Sequence, residues 1–203
     1  MLALLQSNPL IFLVVFLGLI MALAFHEAAH AFASNLLGDD TAKREGRLTL
    51  NPLAHLDLVG TLALIFFRFG WGKPVPVNPN NFKNPAVGNL MVALAGPTMN
   101  LTIAVILAGI ARLSGSNELV QAVFEAVIFI NILLAFFNLL PIPPLDGSKI
   151  LGLFISQEAY YELERFGPFI LIAFIFFISA TSLPIFSAFT NLITTVTSWL
   201  IGA

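Results

Sequence analysis

The chain has 203 residues, 58% of them hydrophobic and only 10% charged, with a net charge of −2 and a mean hydropathy of +0.93. Soluble domains carry about 25% charged residues, so the composition points to an integral membrane protein, and the charge gives no basic footprint for nucleic acid. Cysteine is absent, which excludes disulfides, thiolate metal sites and thiol nucleophiles and leaves His, Asp and Glu to hold any metal.

Crossing the hydrocarbon core takes about 20 apolar residues, and the first run that qualifies covers residues 9–36. No Lys or Arg precedes Lys43, so the run lacks the basic start of a cleaved signal and is read as a retained first span. Inside it, "FLGLIMALAFHEAAHAF" (Phe16 to Phe32) is interrupted by His26, Glu27 and His30. Ionisable groups at membrane depth are costly and face a partner, a cavity or a metal. His26, Glu27 and His30 fit H-E-x-x-H. On a helix, positions i and i+4 share a face, so His26 and His30 can offer two imidazole nitrogens to one zinc ion while Glu27 acts as general base.

Between the first two spans the texture changes. "GRLTLNP" alternates polar and apolar residues, the run from Leu58 to Phe69 is too short for a confident span, and "WGKPVPVNPNNFKNP" is rich in Pro and Asn. A small strand or hairpin is expected here, tolerated at membrane depth only where protein or a water-filled cavity satisfies its backbone. "GKPVPVNP" reads either as an edge for an extended substrate or as a surface loop. His55 has three readings: a structural hydrogen-bonding residue, a partner to the groups around the metal, or a direct ligand. Asp39, Asp40 and Glu45 read as solvated loop charges.

Further spans are expected at 86–112, 119–140, 167–183 and 185–201, the last two separated by "SLPIF" (Ser182 to Phe186), a tight turn or a kink. The fold class is therefore an all-α polytopic membrane protein of about five transmembrane helices, within limits of four to six, with the small strand element between the first two. It forms a single membrane-embedded domain, 1–203, with a core at about 10–150 and a C-terminal helical pair at about 167–201. Six of the nine Lys and Arg residues lie between spans one and two, and Lys149 and Arg165 lie between spans three and four. By the positive-inside rule both connections are cytoplasmic and the amino terminus is outside.

A catalytic zinc takes three protein ligands and a water, so a third ligand is required. Glu158, Glu162 and Glu164 read as the polar side of an interfacial helix. Asp146 differs: it closes "NLLPIPPLDG" (Asn138 to Gly147), where Pro141, Pro143 and Pro144 break the third span and Gly147 permits a sharp turn. Taken alone, Asp-Gly reads more simply as a cap or turn. Together, however, H-E-x-x-H on one membrane helix and N-x-x-P-x-P-x-L-D-G on a later one resemble the site-two protease family of intramembrane zinc metalloproteases. Every fixed position of the second pattern matches, at Asn138, Pro141, Pro143, Leu145, Asp146 and Gly147, and "GPTMN" (Gly96 to Asn100) resembles the family's central element. The likeness covers about residues 10–150 and lacks the PDZ or CBS domains common in the family.

The resemblance implies one Zn2+ per chain on His26, His30 and Asp146, with Glu27 as the catalytic base. It makes Asn138, and more weakly Asn100, a contact for substrate or a developing oxyanion. It also implies peptide-bond hydrolysis in single-span membrane proteins, within the bilayer of the cell membrane. The rival reading is a metal-binding transporter or channel, which would need polar relay sites through the membrane, whereas this chain clusters its polar groups on one side. A silent scaffold leaves Glu27 without a role, and serine or paired-aspartate proteolysis lacks its residues.

Overall fold

The computed structural model describes residues 2–67, 70–115, 117–181 and 184–202. Helix α1 (Leu2–Ser7) leads into α2 (Pro9–Leu36), and after the one-turn α3 (Thr41–Arg44) comes a short apolar helix, α4 (Leu58–Phe67). Two long helices follow, α5 (Pro85–Leu113) and α6 (Glu118–Asn138), then a 3-10 helix over Asp146–Leu153, α7 (Gln157–Ala180) and α8 (Ile185–Ile201). Helices α2, α5 and α6 each start on an asparagine: Asn8, Asn84 and Asn117 accept from the backbone N–H three residues on, of Ile11, Val87 and Val120. That bond satisfies an otherwise orphaned helix donor.

Among the described residues, α2, α5 and α6 are long and apolar enough to cross a membrane. Helix α8 is one turn shorter than α6, and α7 carries Glu158, Glu162, Glu164 and Arg165 in its first half. The link at Ser182–Leu183, expected as a turn or kink, lies outside the described residues.

The expected strand or hairpin takes another form. Residues 58–67 are helical, and β pairing among the described residues is a single antiparallel bridge, Leu56 to Gly72. Residues 73–78 have no regular secondary structure, with Asn78 in extended backbone, and Pro74 and Pro76 have no N–H to give a ladder. The backbone groups of the segment bond to side chains instead, as described below.

The packing explains which helices come together. Positions buried between α2, α5 and α6 are mostly small, with Ala22, Ala24, Ala28, Ala93, Ala104, Ala108 and Ala135 all under 9% exposed, whereas Leu13, Leu17, Met91, Val105 and Ile106 face outward. Lipid is as apolar as Leu, so membrane helices associate through close backbone approach over small residues, not by hiding large ones. Ala104, Ala108, Ile128, Ile132 and Ile193 join α5, α6 and α8 in one apolar cluster.

Candidate metal centre

His26 and His30 lie one turn apart on α2, both buried, with their rings edge to face and centroids 4.6 Å apart. Each is oriented through Nδ1. His26 Nδ1 lies 2.6 Å from Asn100 Oδ1, and His30 Nδ1 lies 2.7 Å from the Val92 carbonyl, both on α5. Pro97 cannot donate to the Ala93 carbonyl, so the α5 ladder is interrupted one residue from Val92.

These partners assign the protons. Asn100 Nδ2 donates to the Ala22 carbonyl and to Asn131 Oδ1, each at 3.0 Å, which leaves Oδ1 as an acceptor facing His26. Asn131 is fixed in turn, since its own Nδ2 donates to the Val127 carbonyl at 2.9 Å. Val92 offers only a carbonyl. Both imidazoles therefore carry their proton on Nδ1, and both Nε2 lone pairs point away from it.

They point at Asp146. Its Oδ2 lies 3.0 Å from His26 Nε2 and 3.3 Å from His30 Nε2, yet this buried oxygen has no hydrogen-bond donor. One imidazolium could pair with this oxygen but would leave the other Nε2 lone pair facing it, and pairing both rings would need two adjacent imidazolium ions sharing one oxygen. A cation instead satisfies all three electron pairs at once. The three ligand atoms lie within 4.8 Å of one another, and the measured separations are close to the edge of about 3.3 Å expected of a tetrahedral zinc site with ligand distances near 2.0–2.1 Å. Gly96 keeps the space open: a Cβ there would fall 2.5 Å from His30 Nε2 and 2.6 Å from His26 Nε2. The donor set thus fits a divalent metal.

Asp146 is delivered by the chain reversal after α6. Pro141, Pro143 and Pro144 end the helix, and Gly147 folds back so closely that a Cβ would meet the Leu139 carbonyl at 2.1 Å. Helix α7 leans on this turn: Gly167 packs against Pro143, while Lys149 pairs with Glu164, which also accepts from Tyr160 at 3.0 Å. Although burial opposes the charge, the pairing with Glu164 holds the Lys149 ammonium above its usual range.

The remaining candidates make hydrogen bonds of their own. Glu27, half-buried, accepts the Val75 N–H on Oε2 at 3.1 Å. Asn138 ends α6 with its amide nitrogen turned back onto the Leu134 carbonyl at 2.9 Å. His55 is fully buried with both ring nitrogens engaged, Nε2 on the Thr49 carbonyl at 2.8 Å and Nδ1 on Arg47 at 3.3 Å.

Asp39 requires a correction. Expected as a solvated loop charge, it is fully buried and accepts from the Ser34 hydroxyl, the Thr41 hydroxyl and N–H, the Asn78 N–H and the Asn81 amide at 2.5–3.2 Å. Burial alone would raise its pKa, but these bonds outweigh burial and hold the carboxyl below its usual range. Asp40 and Glu45 are exposed. Sequence reasoning also passed over Asn131, although an amide in the apolar stretch "IFINILLAF" was the available signal.

Comparison with known proteins agrees with this geometry. The profile described as Peptidase family M50 matches residues 114–181, the region that supplies Asp146. YwhC of Bacillus subtilis is 42% identical over 66% of this chain and 65% of its own length. Rip2 of Mycolicibacterium smegmatis is 35% identical over 75% of this chain and 61% of its own length, and both proteins are named as candidate zinc metalloproteases. Zinc metalloprotease MJ0392 of Methanocaldococcus jannaschii is 23% identical over 77% of this chain and 38% of its own length. The chain thus spans less than two thirds of these relatives, and no solved structure matches it. The two motifs, the converging ligand atoms and these relatives together support peptidase family M50 as the family of this chain.

Proposed function

We propose that the protein is an intramembrane zinc metalloprotease that hydrolyses peptide bonds in the membrane-spanning segments of single-span proteins. One observation carries the reading: two imidazole lone pairs and an orphaned carboxylate oxygen converge on one point, with Glu27 on the same helix turn. Transport of an ion would require such groups along the whole membrane path, whereas the ligand atoms here converge on a single point.

His26, His30 and Asp146 would hold the ion. When bound, zinc supplies Lewis acidity toward a scissile carbonyl and toward water. Glu27 takes the proton of the attacking water on a carboxylate oxygen and returns it to the leaving amine nitrogen. Asn100 and the Val92 carbonyl hold the imidazoles in the tautomer that leaves Nε2 free. Asn138, whose Nδ2 donates to the Leu134 carbonyl, would contact substrate through its amide oxygen. A helical substrate hides its carbonyls in hydrogen bonds, so cleavage requires local unwinding, and residues 73–78 offer an irregular segment beside Glu27 for the unwound strand.

The basic residues between α2 and α5 support a site open to the cytoplasm, an amino terminus outside and a cell-membrane location, with α7 and α8 completing five spans. The test is Glu27→Gln. Purified protein matched for zinc content is assayed in single turnover on single-span substrates, with and without chelator. Cleavage should fall by at least about 100-fold with zinc retained. Cleavage close to that of the wild type by the zinc-loaded variant would overturn Glu27 as the base, and the absence of chelator-sensitive cleavage by the zinc-loaded wild type would overturn the protease reading and favour metal transport.

A further inference from the structure

Arg47 is a buried cation, 4% exposed, without a carboxylate among its bonding partners. Its guanidinium instead donates to two consecutive carbonyls, Lys73 at 2.6 Å and Pro74 at 2.9 Å, and to His55 Nδ1 at 3.3 Å. His55 is held as an acceptor because its Nε2 hydrogen is given to the Thr49 carbonyl, and the His55 carbonyl takes the Lys73 N–H at 2.8 Å. Its buried Nε has no hydrogen-bond partner among the described residues, so the two terminal nitrogens make the grip, and the planar fork of Arg suits two adjacent acceptors as the point charge of Lys does not.

The second carbonyl is the informative one. The Pro74 C=O and the Val75 N–H belong to a single planar, trans peptide unit, in which the two groups point in opposite directions. Arg47 grips one side of that plane, and Glu27 Oε2 accepts from the other at 3.1 Å. Fixing the carbonyl therefore fixes the amide. A cation on the oxygen also polarises the unit and strengthens the N–H donor. At the far end of the segment the buried Asp39 takes the Asn78 N–H at 2.8 Å, so a buried charge holds each end.

We infer that Arg47 is a positioning residue for Glu27, acting through the Pro74–Val75 peptide. This rests on the proposed function for its catalytic consequence, though not for the linkage itself. Val75→Pro removes the amide hydrogen, with Val75→Ala as the control for loss of the side chain, and Arg47→Lys keeps the charge without the fork. Each should lower single-turnover kcat about tenfold, the scale of one net hydrogen bond, with KM within a factor of two and zinc content unchanged. The double variant should lose no more than Val75→Pro, because both changes break one relay. Additive losses would assign Arg47 a general structural role and overturn the inference. So would an equal loss in Val75→Ala, which keeps the amide.

Amide exchange gives a second measurement that needs no cleavage. The Val75 amide should exchange at least about tenfold faster in Arg47→Lys than in the parent protein, as expected when a bond of that strength is lost. Unchanged protection overturns the linkage even if the protein cleaves. Changed protection in a protein that does not cleave refutes the protease reading and leaves the linkage standing. If Arg47→Lys does not fold, the comparison of Val75→Pro with Val75→Ala decides alone, with equal kcat in the two overturning the inference.

Discussion

Two buried carboxylates, Asp39 and Asp146, separate structure from chemistry in this molecule. Asp39 is surrounded by donors: two hydroxyls, two backbone N–H groups and an amide. Asp146 presents an oxygen to two imidazole nitrogens that have no proton to give it. Burial is common to both and diagnoses neither. What distinguishes them is the sign of the surroundings, since a carboxylate among donors is satisfied where it stands and one among lone pairs is completed only by a cation.

The largest expected effect would come from breaking the Asp146 side of this contrast. Asp146→Asn should lower zinc occupancy by more than the 10- to 100-fold typical of losing a ligand's outer partner. The chelated variant should nevertheless unfold no more easily than chelated parent protein, because an amide can donate where the carboxylate could not. Metal analysis and thermal unfolding in detergent check both halves. His55→Ala, by contrast, should keep the zinc. The reverse pattern, with zinc kept in Asp146→Asn and lost in His55→Ala, would reassign the third ligand.

The converse change is Asp39→Asn, which sets an amide donor against existing donors. It should cost about 2–3 kcal/mol of stability, as buried groups left without partners do, with zinc affinity little altered in the folded fraction. The sign with pH follows from the lowered pKa. Asp39 contributes stability that is present above the ordinary carboxylate range and is lost as pH falls through that range and below it. Unfolding followed from pH 7 downward should show the gap between variant and parent narrowing with acid. A gap independent of pH would mean that the charge is not what the five donors recognise.

Gly96→Ala probes the space in front of Asp146. Its Cβ would stand 2.5 Å from His30 Nε2, so zinc affinity should fall at least about tenfold while helix content stays the same. Asn131→Ala makes the smallest change. It removes the acceptor behind Asn100, loosening the His26 tautomer, and should weaken zinc by about tenfold, the low end for outer partners. Competition against a calibrated chelator measures both, and unchanged affinity in Asn131→Ala would mean that Ala22 alone suffices to hold Asn100.

The chain sequence by itself determined the local features. Runs of apolar residues outlined α2, α5 and α6, prolines stopped α6, and the i, i+4 spacing put His26 and His30 on one face, because helix periodicity acts within a few residues. A short apolar run was less legible. Residues 58–67 formed a helix, and the strand expected nearby became an irregular segment bonded to side chains, since prolines removed its donors and Arg47, Glu27 and Asp39 supplied partners. Only tertiary structure decided which acid meets the histidines, which tautomer they hold and what Arg47 grips. Those outcomes depend on pairs such as His26 with Asn100, 74 residues apart, and Arg47 with Pro74, 27 residues apart. Hydrogen-bond polarity at such separations is set by how the helices and loops pack, which neither spacing nor composition encodes.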